Sequence, residues 1–313
     1  MELKSNPNSL VTRHSSLIMT FYLGSAVWAH KDWVGNFFPK GTKQADFLRE
    51  YAKRLTAVEG NTTFWATPAV ETVRRWAEDT PANFRLCPKL PRNVSHAGQL
   101  MAHLDEAKRF VDLMRNLGTR LGPLFLQLPP RYSPKLINDL TKFLDAWPRD
   151  AQLAVEVRHL DWFAAPDHEQ LNALLRSHDV ARVLIDTRPI RDLPEAKVEG
   201  GKVQVLMEQA QERKPDVPLL PEVTASFAFV RYIGNPDVAA NAALLNEWAD
   251  RMSGWLNAGT TVFAFCHCPD ETYSPSICRE LHQRVATRTT IDPLPWDAIG
   301  RDDLSAYTQA SLF

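Results

Sequence analysis

The sequence predicts a single α/β domain of the (β/α)8 TIM-type barrel, and three observations carry that expectation. Eight short apolar runs recur along the chain, each leading through a loop toward a helical pattern, the alternation expected of parallel strands joined by crossover helices. No break in composition divides the 313 residues, so one large core suits them better than two modest ones. An open, doubly wound sheet is the alternative, but after the first strand Gly24 stands alone, without the glycine-rich turn that cradles a dinucleotide phosphate.

The first strand is expected over 21–28, followed by an aromatic loop with Trp28, Trp33, Phe37 and Phe38 and a helix over 44–54. The second, 57–64, precedes a helix over 70–78, and the third, 84–89, leads through Pro91 and His96 to a helix over 104–117. The fourth, 122–128, is stopped by Pro129 and Pro130 before a helix over 134–146; the fifth, 153–158, is followed by Trp162 and a helix over 168–178. The sixth spans 182–186. The seventh, 226–232, and eighth, 260–266, carry helices over 238–256 and 275–287. One connection is out of scale: the Pro-rich insertion 187–223, between strands six and seven, holds one helical piece over 203–213. Loops of that length in a compact domain are often lids or binding elements, and Arg213-Lys214 would make this one a basic flap. The chain thus divides into a flexible leader (1–20), a barrel domain (21–290, including the 187–223 insertion) and a tail (291–313).

A net charge of -1 argues against a surface coated in basic residues for bulk nucleic-acid binding, while leaving room for a local basic cleft. No apolar run approaches the roughly 20 residues of a membrane span, so a cytoplasmic protein with no membrane partner is expected. Cys87, Cys266, Cys268 and Cys278 are too few and too unevenly spaced for a disulfide framework. Cys266-His267-Cys268 resembles a metal cluster but has no second pair at finger-like spacing, so no residue is assigned to a metal. An oxygen-ligated divalent cation stays open as a cofactor.

Within the second run Glu59, Asn61 and Thr63 fall on alternate positions and so on one strand face. Polar groups aimed into an interior need partners or a ligand. Reactive groups of such barrels gather at the carboxyl ends of the strands, which here present Trp28, Glu59, Asn61, Lys89, Gln127, Glu156, Arg158, Asp186, Arg231 and His267. One reading makes these charges mutually satisfied ion pairs that fix the barrel. The other makes them a site: Arg158, Arg231 and Lys89 hold a phosphate or carboxylate, and Glu59, Glu156 and Asp186 act as catalytic acid or base or hold a divalent ion. Trp28, Asn61, His96, Gln127, Trp162 and His267 complete the expected substrate-binding set. The loop aromatics, Trp65 among them, are either core or a platform for stacking bases or sugars.

Several of these blocks occur together and in order: Trp33 to Pro39, Val58 to Phe64, Lys89 with His96, Leu121 to Pro130, Val155 to His159 with Trp162, Ile185-Asp186, and Val230-Arg231 with Gly234. On them the chain resembles the YecE-like family, also called domain of unknown function 72, from Phe21 to about Leu281. The resemblance implies a barrel similar to that of endonuclease IV and xylose isomerase, and brings no established reaction. The chain departs from the family where two asparagines commonly follow the last strand, having Cys266-His267-Cys268-Pro269-Asp270 instead.

The end of the chain, Gln309-Ala310-Ser311-Leu312-Phe313, resembles the peptide by which bacterial replication and repair proteins dock on the DNA sliding clamp. In that reading Leu312 and Phe313 enter a groove while Gln309 orients them. The expected function is therefore a hydrolase or lyase acting on a phosphate-bearing small molecule or nucleic acid. The alternatives are a non-catalytic nucleic-acid-binding protein tethered to the clamp and, by fold analogy alone, a sugar isomerase-like enzyme.

Overall fold

The structure is a computed structural model that describes residues 21–192 and 201–299. The eight strands found there are β1 (Phe21–Ser25), β2 (Ala57–Gly60), β3 (Arg85–Pro88), β4 (Leu124–Gln127), β5 (Leu153–Glu156), β6 (Ala181–Asp186), β7 (Phe227–Ile233) and β8 (Thr261–His267). The α-helices among them are α1 (Phe47–Ala52), α2 (Thr62–Trp65), α3 (Val70–Glu78), α4 (Arg92–Ser95), α5 (Leu104–Met114), α6 (Ile137–Asp145), α7 (Asp167–Ser177), α8 (Arg188–Arg191), α9 (Gly201–Arg213), α10 (Ala242–Asn257) and α11 (Ser274–Ala286). The leader and the segment with Gln309, Leu312 and Phe313 lie outside the described residues.

Six strands form a curled parallel sheet in the order β1-β8-β7-β6-β5-β4, and β2 pairs in parallel with β3. The Thr56 N–H donates to the Leu23 carbonyl at 3.0 Å, tying the start of β2 to β1. Parallel bridges Leu86–Leu121 and Lys89–Phe125 join β3 to the β4 segment. A Cβ on Gly24 would lie 1.8 Å from the Ala57 carbonyl oxygen, so β1 and β2 can approach this closely only because residue 24 has no side chain.

Strand alternation divides the core in two. Tyr22, Ala57, Cys87, Phe125, Ala154, Val183, Phe229 and Phe265 belong to one apolar cluster that draws on all eight strands. Their neighbours of opposite parity, such as Leu23, Val58, Leu126, Val155, Leu184 and Val230, pack in a second cluster with the helices. In α5 the buried residues Ala107, Phe110, Val111 and Met114 recur at helical spacing, which lays one stripe against that cluster.

Two expectations are corrected. The second strand ends at Gly60 rather than at residue 64: Asn61 adopts helical dihedrals and α2 follows. The turn is secured by the Thr63 hydroxyl, which donates to the carbonyls of Gly60 (2.8 Å) and Lys89 (2.6 Å) at the ends of β2 and β3. Glu59, Asn61 and Thr63 therefore do not share a strand face. In the first loop Trp33, Phe37 and Phe38 are buried in an aromatic knot with Tyr51, so they are core and not a stacking platform.

Candidate functional site

Each strand of the inner cluster carries its apolar residue first and, two positions later, a residue that points the same way one layer higher. That step leads from Ala57 to Glu59, Cys87 to Lys89, Phe125 to Gln127, Ala154 to Glu156, Phe229 to Arg231 and Phe265 to His267. Six polar side chains thus crown one apolar layer at the carboxyl ends of the strands, and all six are buried. Removed from water, they must satisfy one another or a ligand.

Arg231 is the hub. Its Nε and Nη2 donate to Glu59 Oε2 and Oε1 at 2.8 and 2.9 Å, and its Nη1 donates to Glu156 Oε2 at 2.5 Å. Glu156 Oε1 accepts from Arg158 Nε at 2.6 Å, and Gln127 Oε1 accepts from both Arg158 Nη2 (2.8 Å) and Lys89 Nζ (2.7 Å). Glu59 also accepts from Asn61 Nδ2 at 2.8 Å. His267 Nε2 lies 3.1 Å from Glu59 Oε2 and, facing a carboxylate that can only accept, carries the proton there. Burial, reinforced by Arg231, lowers the His267 imidazole to about 4, so it is neutral at pH 7. Both acids are ionised: burial works to raise Glu59, but Arg231 and His267 hold it well below the usual range, and Arg158 and Arg231 bring Glu156 to about 2 against the same burial. Two carboxylates thus face two guanidiniums, and this inner ring is electrically balanced.

Above the ring lies a cavity of about 550 Å³, within the size range of small-molecule sites. Lys89, Arg158, His96 and Asn61 line it, and α9 and its end bring Arg213 and Lys214 over it. The Lys89 ammonium lies over the Phe64 and Phe125 rings at 4.3 and 5.1 Å, and among the described residues no carboxylate is within ion-pair distance of it. Burial first, then Arg231, lowers it to about 7. Burial likewise lowers Lys214 to about 8, with Arg231 adding to it and Glu271 opposing. Glu271, across the cavity, is raised by burial to about 7 although the Ser274 hydroxyl donates to its Oε2 at 2.6 Å. The His96 ring is lowered to about 4 by burial and then by Lys89 and other cations.

Not every expected site residue reaches this place. Asp186 belongs to the opposite parity from Val183 and Ile185, and its carboxylate accepts from Arg188 (Nη2 at 2.8 Å) and from the Trp248 indole (2.7 Å) on the outer side, against α10. It is held in the helix layer and does not line the cavity. Trp162 is fully buried, with its indole N–H donating to the Tyr132 carbonyl at 2.8 Å. Trp28 packs edge-on against Trp76. Arg231 is committed to Glu59 and Glu156 and does not stand free for an anion. Residue-by-residue reading missed Glu271 as a site group and gave Lys214 only as part of a flap; both come from loops, which carry no strand parity. Glu271 is placed by its own main chain, whose carbonyl accepts from the Trp33 indole at 2.8 Å. Cys266 and Cys278 are buried among core residues, and among the described residues no group of three or more His, Cys, Asp or Glu is set to hold a metal.

A curled parallel sheet with helices outside and a polar crown at its strand carboxyl ends defines the class: an α/β protein with a pocket of barrel type. Residues 22–298 match the family model described as protein of unknown function DUF72, and the chain belongs to that family. It is 35% identical over 261 residues to UPF0759 protein YecE of Escherichia coli K12, covering 83% of this chain and 90% of that one. UPF0759 protein YunF of Bacillus subtilis is 20% identical over 200 residues, 62% of this chain and 67% of the other. Crystal structures of DUF72 family proteins share the fold. The one from Enterococcus faecalis V583 has a TM-score of 0.64 at 16% identity over 87% of this chain and 98% of its own. The one from Thermotoga maritima MSB8 has a TM-score of 0.62 at 19% identity over 86% and 99%. No helix among the described residues is long and apolar enough to cross a membrane.

Proposed function

We propose that the two sheets are arcs of one eight-stranded barrel and that the cavity over it binds a phosphate-bearing ligand, on which the protein acts as a hydrolase or lyase. One observation carries this reading. The inner ring neutralises itself, so Lys89 and Lys214, neither in an ion pair among the described residues, line the cavity together with Arg213 and face there the one lining carboxylate among the described residues, Glu271. A low-dielectric pocket with surplus positive charge selects an anion. In this reading Glu59 and Glu156 serve chiefly to hold Arg231 and Arg158 in place, since carboxylates so strongly stabilised as anions are weak bases. The proton-transfer role passes to Glu271, whose value of about 7 suits acid and base work near neutrality.

The test is a thermal-shift panel of inorganic phosphate, pyrophosphate, mononucleotides and sugar phosphates against the wild type and Lys89→Met. A binder stabilises in proportion to RT ln(1 + [L]/Kd). We expect stabilisation by at least one phosphate compound and a loss of about 10- to 100-fold in affinity on Lys89→Met, the worth of one charge-assisted hydrogen bond of about 1.5–3 kcal/mol. No stabilisation by any member of the panel would sink the proposal.

A second reading, a nucleic-acid ligand held without chemistry, is favoured by Trp65. It is 74% exposed and lines the cavity beside Arg92, as a base-stacking platform would. Trp65→Ala should then weaken single-stranded oligonucleotide binding by about 1–3 kcal/mol and leave mononucleotide phosphate binding intact. Docking of the tail on a sliding clamp remains part of this second reading.

A further inference from the structure

We propose that Lys89 is a nucleophile: its amine condenses with the carbonyl carbon of an aldehyde or ketone that also carries an anionic group, forming an imine in the cavity. The inference deepens the anion-binding reading above and rests on it for the substrate's charge.

The geometry is that of an amine shut away from water, with no ion-pair partner of its own among the described residues and with two guanidiniums nearby. Lys89 stands just beyond β3 and is 6% exposed, so little water reaches it. Its one hydrogen-bond acceptor among the described residues is the neutral Gln127 oxygen at 2.7 Å. Aromatic faces lie beneath it at 4.3 Å (Phe64) and 5.1 Å (Phe125). The carboxylates of Glu59 and Glu156 nearby are already paired with Arg231 and Arg158, so the attraction they exert on Lys89 is outweighed by burial and by the repulsion of those two guanidiniums. His96, the remaining titratable group that Lys89 influences, is neutral at pH 7. Desolvation together with neighbouring cations is how an enzyme makes a lysine nucleophilic. The consequence agrees: with Lys89 at about 7, roughly half of it is free amine at neutral pH, whereas an ordinary lysine near 10.4 is well under 1% free amine.

The step needs no oxidant or reductant. The Lys89 nitrogen lone pair forms the C–N bond as the carbonyl oxygen takes a proton; the resulting carbinolamine loses its hydroxyl as water, the nitrogen gives up its protons, and a C=N bond remains. Glu271, near half-protonated at pH 7 and facing the same cavity, is placed to supply and recover the proton. Lys214, with no ion pair among the described residues, is placed to receive the anionic group.

The experiment uses the full chain and three probes: pyruvate, glyceraldehyde 3-phosphate and unphosphorylated glyceraldehyde, each with sodium cyanoborohydride to trap an imine as a stable amine. Peptide mass mapping then locates the adducts. The expected result is one dominant adduct at Lys89, formed at least about 10-fold faster with the phosphorylated probe than with its neutral counterpart. It should be suppressed by inorganic phosphate and be absent in Lys89→Arg, whose retained fold is checked by circular dichroism. Adducts spread evenly over exposed lysines such as Lys31 and Lys40, with none favoured at Lys89, overturn the proposal without reference to any variant. Stabilisation by phosphate with no adduct at Lys89 overturns the imine and leaves the anion site standing. Equal labelling of Lys89 by the phosphorylated and neutral probes overturns the anionic half of the proposal and the anion site with it.

Discussion

Arg231 shows how one side chain can organise the end of a barrel-type sheet. Its guanidinium spans Glu59 and Glu156, one strand end to another, in a place where neither acid could stay ionised alone. Replacing it by Met leaves buried Glu59 without a guanidinium partner and Glu156 with Arg158 alone, and we predict a loss of about 3–5 kcal/mol in denaturant unfolding, the usual result of removing one partner of a buried pair. The sign of the pH effect follows. Glu59 and Glu156 have folded values below their unfolded ones, so their contribution is complete above about 4.3 and is lost as pH falls below it, that of Glu156 toward about 2. His267 and His96, lowered to about 4, add to the loss between about 6.5 and about 4, because the unfolded chain binds the protons that the folded one refuses. Unfolding free energy should therefore decline steadily below about pH 6.5, and the segment of that decline below about 4.3 should flatten in Arg231→Met.

Strands were the legible elements. The period of two along a strand sets Glu156 on the face of Ala154 and Arg231 on the face of Phe227 and Phe229, and in the structure both faces turn inward, where Arg231 meets Glu156. The same rule, applied strictly to β6, sets Asp186 outward with Arg182 and Leu184, opposite to Val183; choosing it by its place at the strand end alone put it in the wrong layer. We predict that Asp186→Asn costs about 1–3 kcal/mol of stability through its bonds to Arg188 and Trp248 while ligand affinity at the cavity stays unchanged. The length of β2 was not legible, because Asn61 and Thr63 fit a strand by pattern and a helical turn by their hydrogen bonds to carbonyls far along the chain. Glu271 was illegible as a site residue for the same reason, whereas Arg213-Lys214 was legible as a basic flap, and contact between distant segments is what sets that flap at this cavity. Gly24 was read only for the phosphate turn it fails to make. Its meaning lies in the close approach of β1 to Ala57, and Gly24→Ala should sharply lower folded yield in expression, where a surface glycine change would not.

For the whole molecule the near-zero net charge concealed a local imbalance. The inner ring is neutral, and the surplus cations line the cavity at Lys89 and Lys214, one just beyond β3 and one directly after α9. Their lowered values make anion binding depend on pH in a stated direction. Affinity for a phosphate compound should be strongest near and just below pH 7, then fall as Lys89 discharges through about 7 and Lys214 through about 8. Glu271, gaining its charge through about 7, pushes the same way. Calorimetric titration of pyrophosphate into the wild type, Lys89→Met and Lys214→Met across pH 6 to 9 tests this most directly. The account predicts measurable binding to the wild type that weakens with rising pH, weaker binding in each variant, and a flatter pH dependence once either lysine is gone. Wild-type affinity that is absent, or that is the same in all three proteins at every pH, would contradict it.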